Sequence, residues 1–435
     1  MPRSSAKPLT FIDAFAGCGG LSLGLMQAGW TGRFAIERDK FAFATLKANL
    51  LAKDSLHKYV WPRWLPKEPI GIVELLSNYR DQLEKISGSV DVLVGGPPCQ
   101  GFSSAGRRKH DDPRNQLFAS YLNLVDIIKP KAVLIENVRG FTLDFNAGDE
   151  IKNFSHALKA RLSDAYTVHE QLLDLSIFGV PQARTRYFVL AFRSELNVPN
   201  PFVHIKSRLP SFLRSLGLTV PVSSGSAISD LEIGRSGRQP SMESKGFEET
   251  RYAGPLTHYQ KLMNVGCEVP TDLRLARHAE EIAARFKKII ELSHAEGRLN
   301  TSIGAEMRAR FGLKKLALRV LDPDRPSPTI TSMPDDLLHY SEPRTLTVRE
   351  NARLQTFPDW YSFQGKYTTG GHLRKQEVPR FTQVANAVPP LVARAIGEAL
   401  MDLLKRKPTT EVVAFSGRRA RSRLHGVQQS AEICA

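Results

Sequence analysis

The residues best equipped for chemistry in this 435-residue chain stand in three short runs. Cys99 lies in Gly95-Gly96-Pro97-Pro98-Cys99-Gln100-Gly101-Phe102-Ser103, directly after residues 90–94, which are apolar except for Asp91. Glycine opens backbone conformations closed to other residues and proline locks φ, so this run would present a thiol at the C-terminal edge of a strand. Open parallel sheets bind ligands at that edge. A thiol of ordinary pKa, near about 8.5, is only a few per cent thiolate at neutral pH, so it needs partners before it can act as a nucleophile. Glu136-Asn137-Val138 follows a second apolar run, 132–135, and would deliver a carboxyl to the same edge. Held in a pocket, that carboxyl could keep a raised pKa and donate a proton to an electron-poor ring nitrogen. Gln182-x-Arg184-x-Arg186 precedes the strand-like residues 187–192, and alternation puts both guanidinium groups on one face. They could polarise a carbonyl oxygen or hold the nucleophile's partner. Each has a plainer reading: a core cysteine, a turn-capping carboxyl, surface ion pairs.

A fourth run suits a ligand. Phe15-x-Gly17-x-Gly19-Gly20 follows a strand pattern and opens a helical one, so a ligand could approach the backbone near a helix N-terminus. The spacing departs from GxGxxG and no Gly-Lys-Ser/Thr follows, which disfavours dinucleotides and nucleoside triphosphates. Glu37 lies about 20 residues on, where a carboxylate accepts from a ribose diol. An adenosine-bearing ligand without a polyphosphate fits both features, and S-adenosylmethionine is the natural proposal. Glu37 as a solvated carboxylate beginning a turn is the alternative.

The elements that must position these residues alternate. Strand patterns at 9–15, 34–36, 90–94, 132–135 and 187–192 interleave with helical spacing at 21–28, 41–51, 116–128 and 151–162. Such alternation predicts an α/β fold, a mostly parallel sheet with helices on both faces. The pattern changes at residue 200. From there to 343 the chain is rich in Pro, Ser and Gly and shows one clear amphipathic helix, at 273–292. Helical periodicity returns at 344–357 and 384–404, and a basic, weakly hydrophobic tail follows from 405 to 435. The expected division is therefore 1–199 for catalysis and cofactor, 200–343 as a separate irregular domain, 344–404 returning to the first, and a tail.

Composition sets the surroundings. With 42% hydrophobic and 24% charged residues the chain reads as globular, and it has neither a membrane-length apolar run nor a signal-peptide core. Cys18, Cys99, Cys267 and Cys434 have no metal or disulfide spacing, so a reducing, cytoplasmic setting without metal is expected. A net charge of +16 makes nucleic acid the first candidate partner. Residues 201–343 hold 20 basic and 17 acidic side chains, so most of the excess lies elsewhere.

Taken in order, Asp13-Ala14-Phe15-Ala16-Gly17-Cys18-Gly19-Gly20, the Pro-Pro-Cys-Gln run, Glu136-Asn137-Val138, Gln182-Ala183-Arg184-Thr185-Arg186, residues 344–355 and residues 383–390 resemble the ordered motifs of the C5-cytosine DNA methyltransferases. The resemblance spans the chain except 200–343 and the tail. It implies a Rossmann-like methyltransferase sheet with a smaller target-recognition domain, and transfer of a methyl group from S-adenosylmethionine to C5 of a cytosine flipped out of duplex DNA. Cys99 would add to C6, Glu136 would engage N3 and the exocyclic amine, Arg186 would hold O2, and Arg184 would support the catalytic loop. Phe15, Ala16, Gly17, Cys18, Gly19, Gly20, Leu21, Glu37, Arg38, Ile72, Pro98, Leu117, Asn386, Ala387 and Val388 would form the cofactor pocket. Where the family usually holds the adenine amine with an acidic residue, this chain offers Gly71, with Ile72 packing on the ring.

By the same resemblance, residues 200–343 would read sequence while Gln100, Ser103, Arg107, Arg108, Arg325 and Thr329 meet DNA. A bacterial, nucleoid-associated monomer is expected, in a restriction-modification system whose endonuclease acts separately, or solitary. Three rivals stand beside this reading: the same chemistry on tRNA, a DNA-binding protein with a vestigial pocket, and a Rossmann oxidoreductase. The last leaves the Pro-Pro-Cys-Gln run without a purpose, and the second predicts damage among Cys99, Glu136, Arg184 and Arg186.

Overall fold

A computed structural model of the chain describes residues 7–98, 113–143, 145–147, 150–369 and 376–405. Six strands form the central sheet: β1 (Thr10–Ala14), β2 (Thr31–Ile36), β3 (Val92–Gly95), β4 (Ala132–Val138), β5 (Tyr166–Asp174) and β6 (Thr185–Arg193). Their order is β2-β1-β3-β4-β6-β5. Pairing is parallel from β2 through β4, and β6 runs antiparallel to both of its neighbours. The strand at Tyr166–Asp174 is absent from the sequence reading. It is an edge strand in which Thr167, His169, Glu170, Gln171 and Asp174 break up the apolar residues, so no apolar run marks it.

Helices cover both faces, as the alternation predicted. They include α1 (Gly20–Gln27), α2 (Lys40–Leu50), α3 (Ile72–Asn78), α4 (Pro113–Ile128), α5 (Phe154–Leu162), α6 (Pro201–Ser215), α7 (Glu280–Ala295), α8 (Val348–Leu354), α9 (Arg380–Asn386) and α10 (Pro390–Lys405). Strand side chains divide between two cores by parity. Phe11, Val92, Val94, Ala132, Leu134, Phe188 and Leu190 join Leu23, Leu46 and Ile396 on one face. Ile12, Leu93, Val133, Ile135, Val189 and Ala191 join Leu75, Leu124 and Leu158 on the other. Burial on both faces explains why these strands read as continuous apolar runs.

Several boundaries shift for local reasons. Asn153 accepts from Ser155 N (3.0 Å) and His156 N (3.4 Å), which starts α5 at Phe154 and leaves Glu150–Lys152 as a short strand. The span 384–404 is two helices, α9 and α10, because Pro389 and Pro390 lack N–H donors; Pro390 opens the second. Residues 200–343 carry more helix than the single one predicted. Pro201 sits at the first position of α6 with Asn200 accepting from Phe202 N, so an Asn-Pro pair that resembles a loop is a helix start. Phe202, Ile205 and Phe212 of α6 are buried in the first core, alongside Leu400 and Leu403 of α10. The helix expected at 273–292 begins only at Glu280, because Leu275 N bonds Glu248 O and Arg274 bridges Glu249.

Two close approaches require glycine. A Cβ on Gly24 would lie 2.3 Å from Pro390 O and 2.4 Å from the Ala393 Cβ, so α1 and α10 meet backbone to backbone. A Cβ on Gly95 would lie 2.4 Å from Ala14 O, where β3 turns away at the sheet's edge.

A separate small core of Phe286, Ile289, Ile303, Met307, Leu318, Val320 and Leu338 lies within the irregular region. Buried ion pairs tie residues 200–343 to residues 344–404: Arg353 meets Asp230 (3.1 Å) and Arg349 meets Asp272 (3.5 Å), while Arg353 also meets Asp359 (2.5 Å) and Arg344 meets Glu350 (2.7 Å) within 344–404. Among the described residues no helix is long and apolar enough to cross a membrane.

Candidate active site

The C-terminal ends of β1, β3 and β4 open onto one cavity of about 930 Å³. It lies where strand order reverses, with β2 on one side of β1 and β3 on the other.

One end is built by the turn after β1. Phe15 adopts φ +60° and Gly17 φ +56°, conformations that a β-carbon disfavours; glycine removes the cost at one position and Phe15 bears it at the other. The turn aims Gly17 N at Glu37, whose Oε2 accepts at 2.9 Å while Oε1 accepts from Asp39 N at 2.7 Å. Each oxygen keeps a lone pair for a diol. Burial pushes the Glu37 carboxyl above its usual range, and the two backbone donors pull the other way. Asp13 lies beneath the turn with no cationic partner among the described residues, and its Oδ2 accepts from Ser22 Oγ, which also meets Tyr59 Oη. Burial raises Asp13 to about 7, the Ser22 hydroxyl opposes, and the Glu37 charge adds to the rise. The sequence reading gave Asp13 no role, although its place at the end of an apolar strand is the signal that could have found it.

Phe15, Ala16, Gly17, Cys18, Leu21, Glu37 and Arg38 line the cavity, as do Ile72, Pro98, Leu117, Asn386, Ala387 and Val388. Gly19 and Gly20 do not. A Cβ on Gly20 would sit 2.4 Å from Val388 O, and one on Gly19 would sit 2.8 Å from Tyr361 Oη, so these glycines serve helix packing. Cys18 is buried and its thiol is pushed up to about 12, chiefly by burial, which makes it inert.

The other end is polar. Glu136 Oε1 lies 3.2 Å from Arg186 Nε, and burial raises the Glu136 carboxyl while Arg186 and Arg184 lower it. Arg184 is 3% exposed. Its Nη2 donates to Ala385 O at 2.9 Å, whereas Nε and Nη1 are buried without a hydrogen-bond partner among the described residues. Burial pulls this guanidinium down to about 9, helped by the Arg186 charge and opposed by Glu136. Asn137 Nδ2 donates to Pro97 O at 2.9 Å and ties the proline run to β4. Cys99, Gln100, Ser103, Arg107 and Arg108 lie outside the described residues, so the proline run is followed as far as Pro98.

Buried Gln182 knits this end to distant chain: its Nε2 donates to Gln355 Oε1 (3.0 Å) and its Oε1 accepts from Ile330 N (3.1 Å). Gln355 in turn donates to Val384 O at 2.9 Å. Thr329 Oγ1 donates to Ala183 O (2.9 Å), which brings residues 329–332 into the cavity wall. Sequence reasoning placed Thr329 near DNA and overlooked Thr331 and Ser332, which have no motif of their own. Arg325 stands apart on the surface, 3.7 Å from Asp322.

The cavity thus joins an apolar, glycine-turned end with a carboxylate for a diol to an end where a carboxyl and two guanidinium groups converge. The first fits an adenosine derivative. The second fits a planar ring that needs a proton at one edge and a polarised carbonyl at another.

Comparison with known proteins identifies the family. The model of the family described as C-5 cytosine-specific DNA methylase matches residues 9–402. Type II methyltransferase M.DdeI of Desulfomicrobium norvegicum is 30% identical over 404 residues, covering 90% of this chain and 88% of the relative. Type II methyltransferase M.XorII of Xanthomonas oryzae pv. oryzae is 31% identical over 410 residues, covering 91% and 85%. Among solved structures, a DNA modification methyltransferase encoded within an E. coli prophage superposes with a TM-score of 0.62 at 26% identity, covering 92% of this chain and all of that one.

Proposed function

The chain belongs to the C-5 cytosine-specific DNA methylase family, and from that premise we propose that its cavity holds S-adenosylmethionine at the Glu37 end and a cytosine turned out of duplex DNA at the Glu136 end. The observation that carries the reading is the presence of both ends in one cavity, with the Glu136–Arg186 pair facing the same space as Glu37. Phe15, Glu37, Ile72, Pro98, Leu117 and Asn386 hold the methyl donor, which when bound supplies an electrophilic methyl group for C5.

The rest is the work of this chain's side chains. Cys99, as thiolate, adds to C6 of cytosine and pushes an electron pair toward C5. Glu136, with its raised pKa, gives a proton to N3 and accepts from the exocyclic amine, which stabilises the charge that addition creates. Arg186 binds O2 and holds Glu136 in place. Arg184 lines the same cavity, with Nε and Nη1 lacking a hydrogen-bond partner among the described residues, and we assign it support of the catalytic loop. After methylation a base, for which solvent water suffices, takes the C5 proton, the electron pair re-forms the C5–C6 double bond as the Cys99 thiolate leaves C6, and N3 returns its proton to Glu136.

We assign sequence reading to residues 200–343, part of which, between Phe286 and Leu338, packs in a small core of its own, and phosphate contacts to the more basic remainder. The relatives' description as Type II methyltransferases supports a role in a restriction-modification system; we assign the chain to act there as a monomer, with any endonuclease acting separately. Incubation with labelled S-adenosylmethionine and either duplex DNA or tRNA, followed by bisulfite mapping, tests the reading. Label confined to C5 of cytosine within one duplex sequence is expected; label confined to tRNA, or none, would sink it.

A further inference from the structure

Five side chains alternate in one stack that begins at α9. Arg380, the first residue of that helix, lies over the Tyr367 ring at 4.2 Å from its centre; Arg274 lies over the same ring at 3.6 Å and over Phe247 at 4.2 Å, and Arg277 lies over Phe247 at 4.3 Å. Val378 and Gln383, on either side of Arg380, line the cavity, so the stack starts at the cavity wall and leads away from it. Exposure rises along it, from half-buried Arg380 and Arg274 to exposed Arg277.

The three arginines differ in what balances their charge. Arg380 meets Glu243 and, at 2.8 Å, Asp272. Glu243 also accepts from Asp272 N (2.6 Å) and Tyr367 Oη (2.9 Å). The other carboxylates beside the stack are engaged elsewhere, Glu248 by Arg238 (3.1 Å) and Glu249 by Gln239 Nε2 (3.0 Å) and Met242 N (3.2 Å). The guanidinium groups of Arg274 and Arg277 are therefore left with ring contacts and no ion pair among the described residues. Burial holds Arg274 below its ordinary value, and the Arg380 and Arg277 charges act in the same direction against Tyr367 and Glu243. Stacking uses the faces of a guanidinium and leaves the donors at its edge free. Gly246, at φ +79°, clears the space beside Arg277: a Cβ there would lie 3.0 Å from Nη2.

We propose that Arg274 and Arg277, held by Phe247 and Tyr367, form a preorganised clamp for the phosphate backbone of duplex DNA beside the cavity. This rests on the reading of duplex DNA as the substrate, and it adds a phosphate contact within the region otherwise assigned to sequence reading. Neighbouring cations with no carboxylate between them repel, and a phosphate diester removes that cost where a neutral base edge does not. Its oxygens match the guanidinium fork, and side chains already fixed by stacking lose little freedom on binding. A stack that only braced residues 247–277 against α9 would make no such demand on salt.

Fluorescence anisotropy of two labelled duplexes of equal length, one that the enzyme methylates and one scrambled, separates these cases over a range of salt concentrations. In Arg274→Gln and Arg277→Gln the slope of log affinity against log salt should become shallower by about 0.9 per arginine removed, equally on both duplexes. Phe247→Leu keeps both charges and should weaken binding about two- to tenfold with the slope unchanged. Because Arg277 is exposed, Arg277→Gln should keep the wild-type melting temperature. Wild-type slopes in both arginine variants would reduce the stack to a brace and overturn the clamp, as would a loss confined to the methylated duplex, which would make the arginines base readers. Failure of the wild type to bind either duplex would overturn the DNA reading itself, and this inference with it.

Discussion

Glu136 and Arg186 meet at 3.2 Å on one face of the β4–β6 pair, where Arg186 is paired with Val138 and Glu136 with Phe188. The contact is therefore diagonal across an antiparallel ladder, a spacing that long side chains span easily. On β4 it continues the parity of Ala132 and Leu134, core residues on the same face. The strand that builds the core thus delivers its next side chain of that parity to the cavity.

Removing the proton-giving group leaves this geometry in place. Glu136→Gln should lower the rate of methyl transfer by about 10²- to 10⁴-fold without changing the affinity for S-adenosylhomocysteine, measured on the same preparation by calorimetry. A parallel loss of both would place Glu136 in the donor site instead.

Arg184 presents the opposite balance of stability and function. A base whose folded pKa is depressed opposes folding while charged, so its cost is present below about 9 and is relieved as pH rises beyond it. Arg184→Met should raise the melting temperature at pH 7 by a few degrees and abolish methyl transfer. A destabilised variant would mean that the guanidinium supports the fold.

Asp13 gives a pH signature. Its carboxyl is held at about 7 in the folded chain against 3.8, so the folded state retains the proton longer. Stability from this group is greatest below about 4 and is lost as pH rises toward 7. Melting curves of Asp13→Asn should therefore lack the part of the wild-type decline between pH 4 and 7, with a constant difference above it. Identical slopes would refute the burial argument.

The buried ion pairs of Arg353 should be costly to break. Arg353→Ala leaves Asp230 and Asp359 buried without their guanidinium and should cost about 3–5 kcal/mol in urea denaturation. A loss below about 1 kcal/mol would show that the pairs behave as surface contacts.

What the sequence made legible follows from local physics. Strands buried on both faces announce themselves as apolar runs, and the spacing of Gly17 and Glu37 points to the turn in which the two are joined by a hydrogen bond. Asn386, Ala387 and Val388 enter the cavity through a long-range fold that only the motif resemblance anticipated. Thr331 and Ser332 were missed because their places depend on Gln182 bonding Ile330, which leaves no pattern in the chain. The edge strand β5 and helix α6 escaped because polar faces and an Asn-Pro start resemble loops.

The central claim is that Cys99 forms a transient bond to C6 of cytosine. The most direct measurement uses mixed-sequence duplex DNA with 5-fluorocytosine in place of cytosine, incubated with S-adenosylmethionine and resolved on a denaturing gel. Fluorine at C5 cannot leave as a proton does, so β-elimination is blocked and the adduct persists. A protein–DNA species that survives denaturation with the wild type and is absent with Cys99→Ser is the predicted result. Methyl transfer to ordinary cytosine DNA with no such species, or the same species with both proteins, would contradict it.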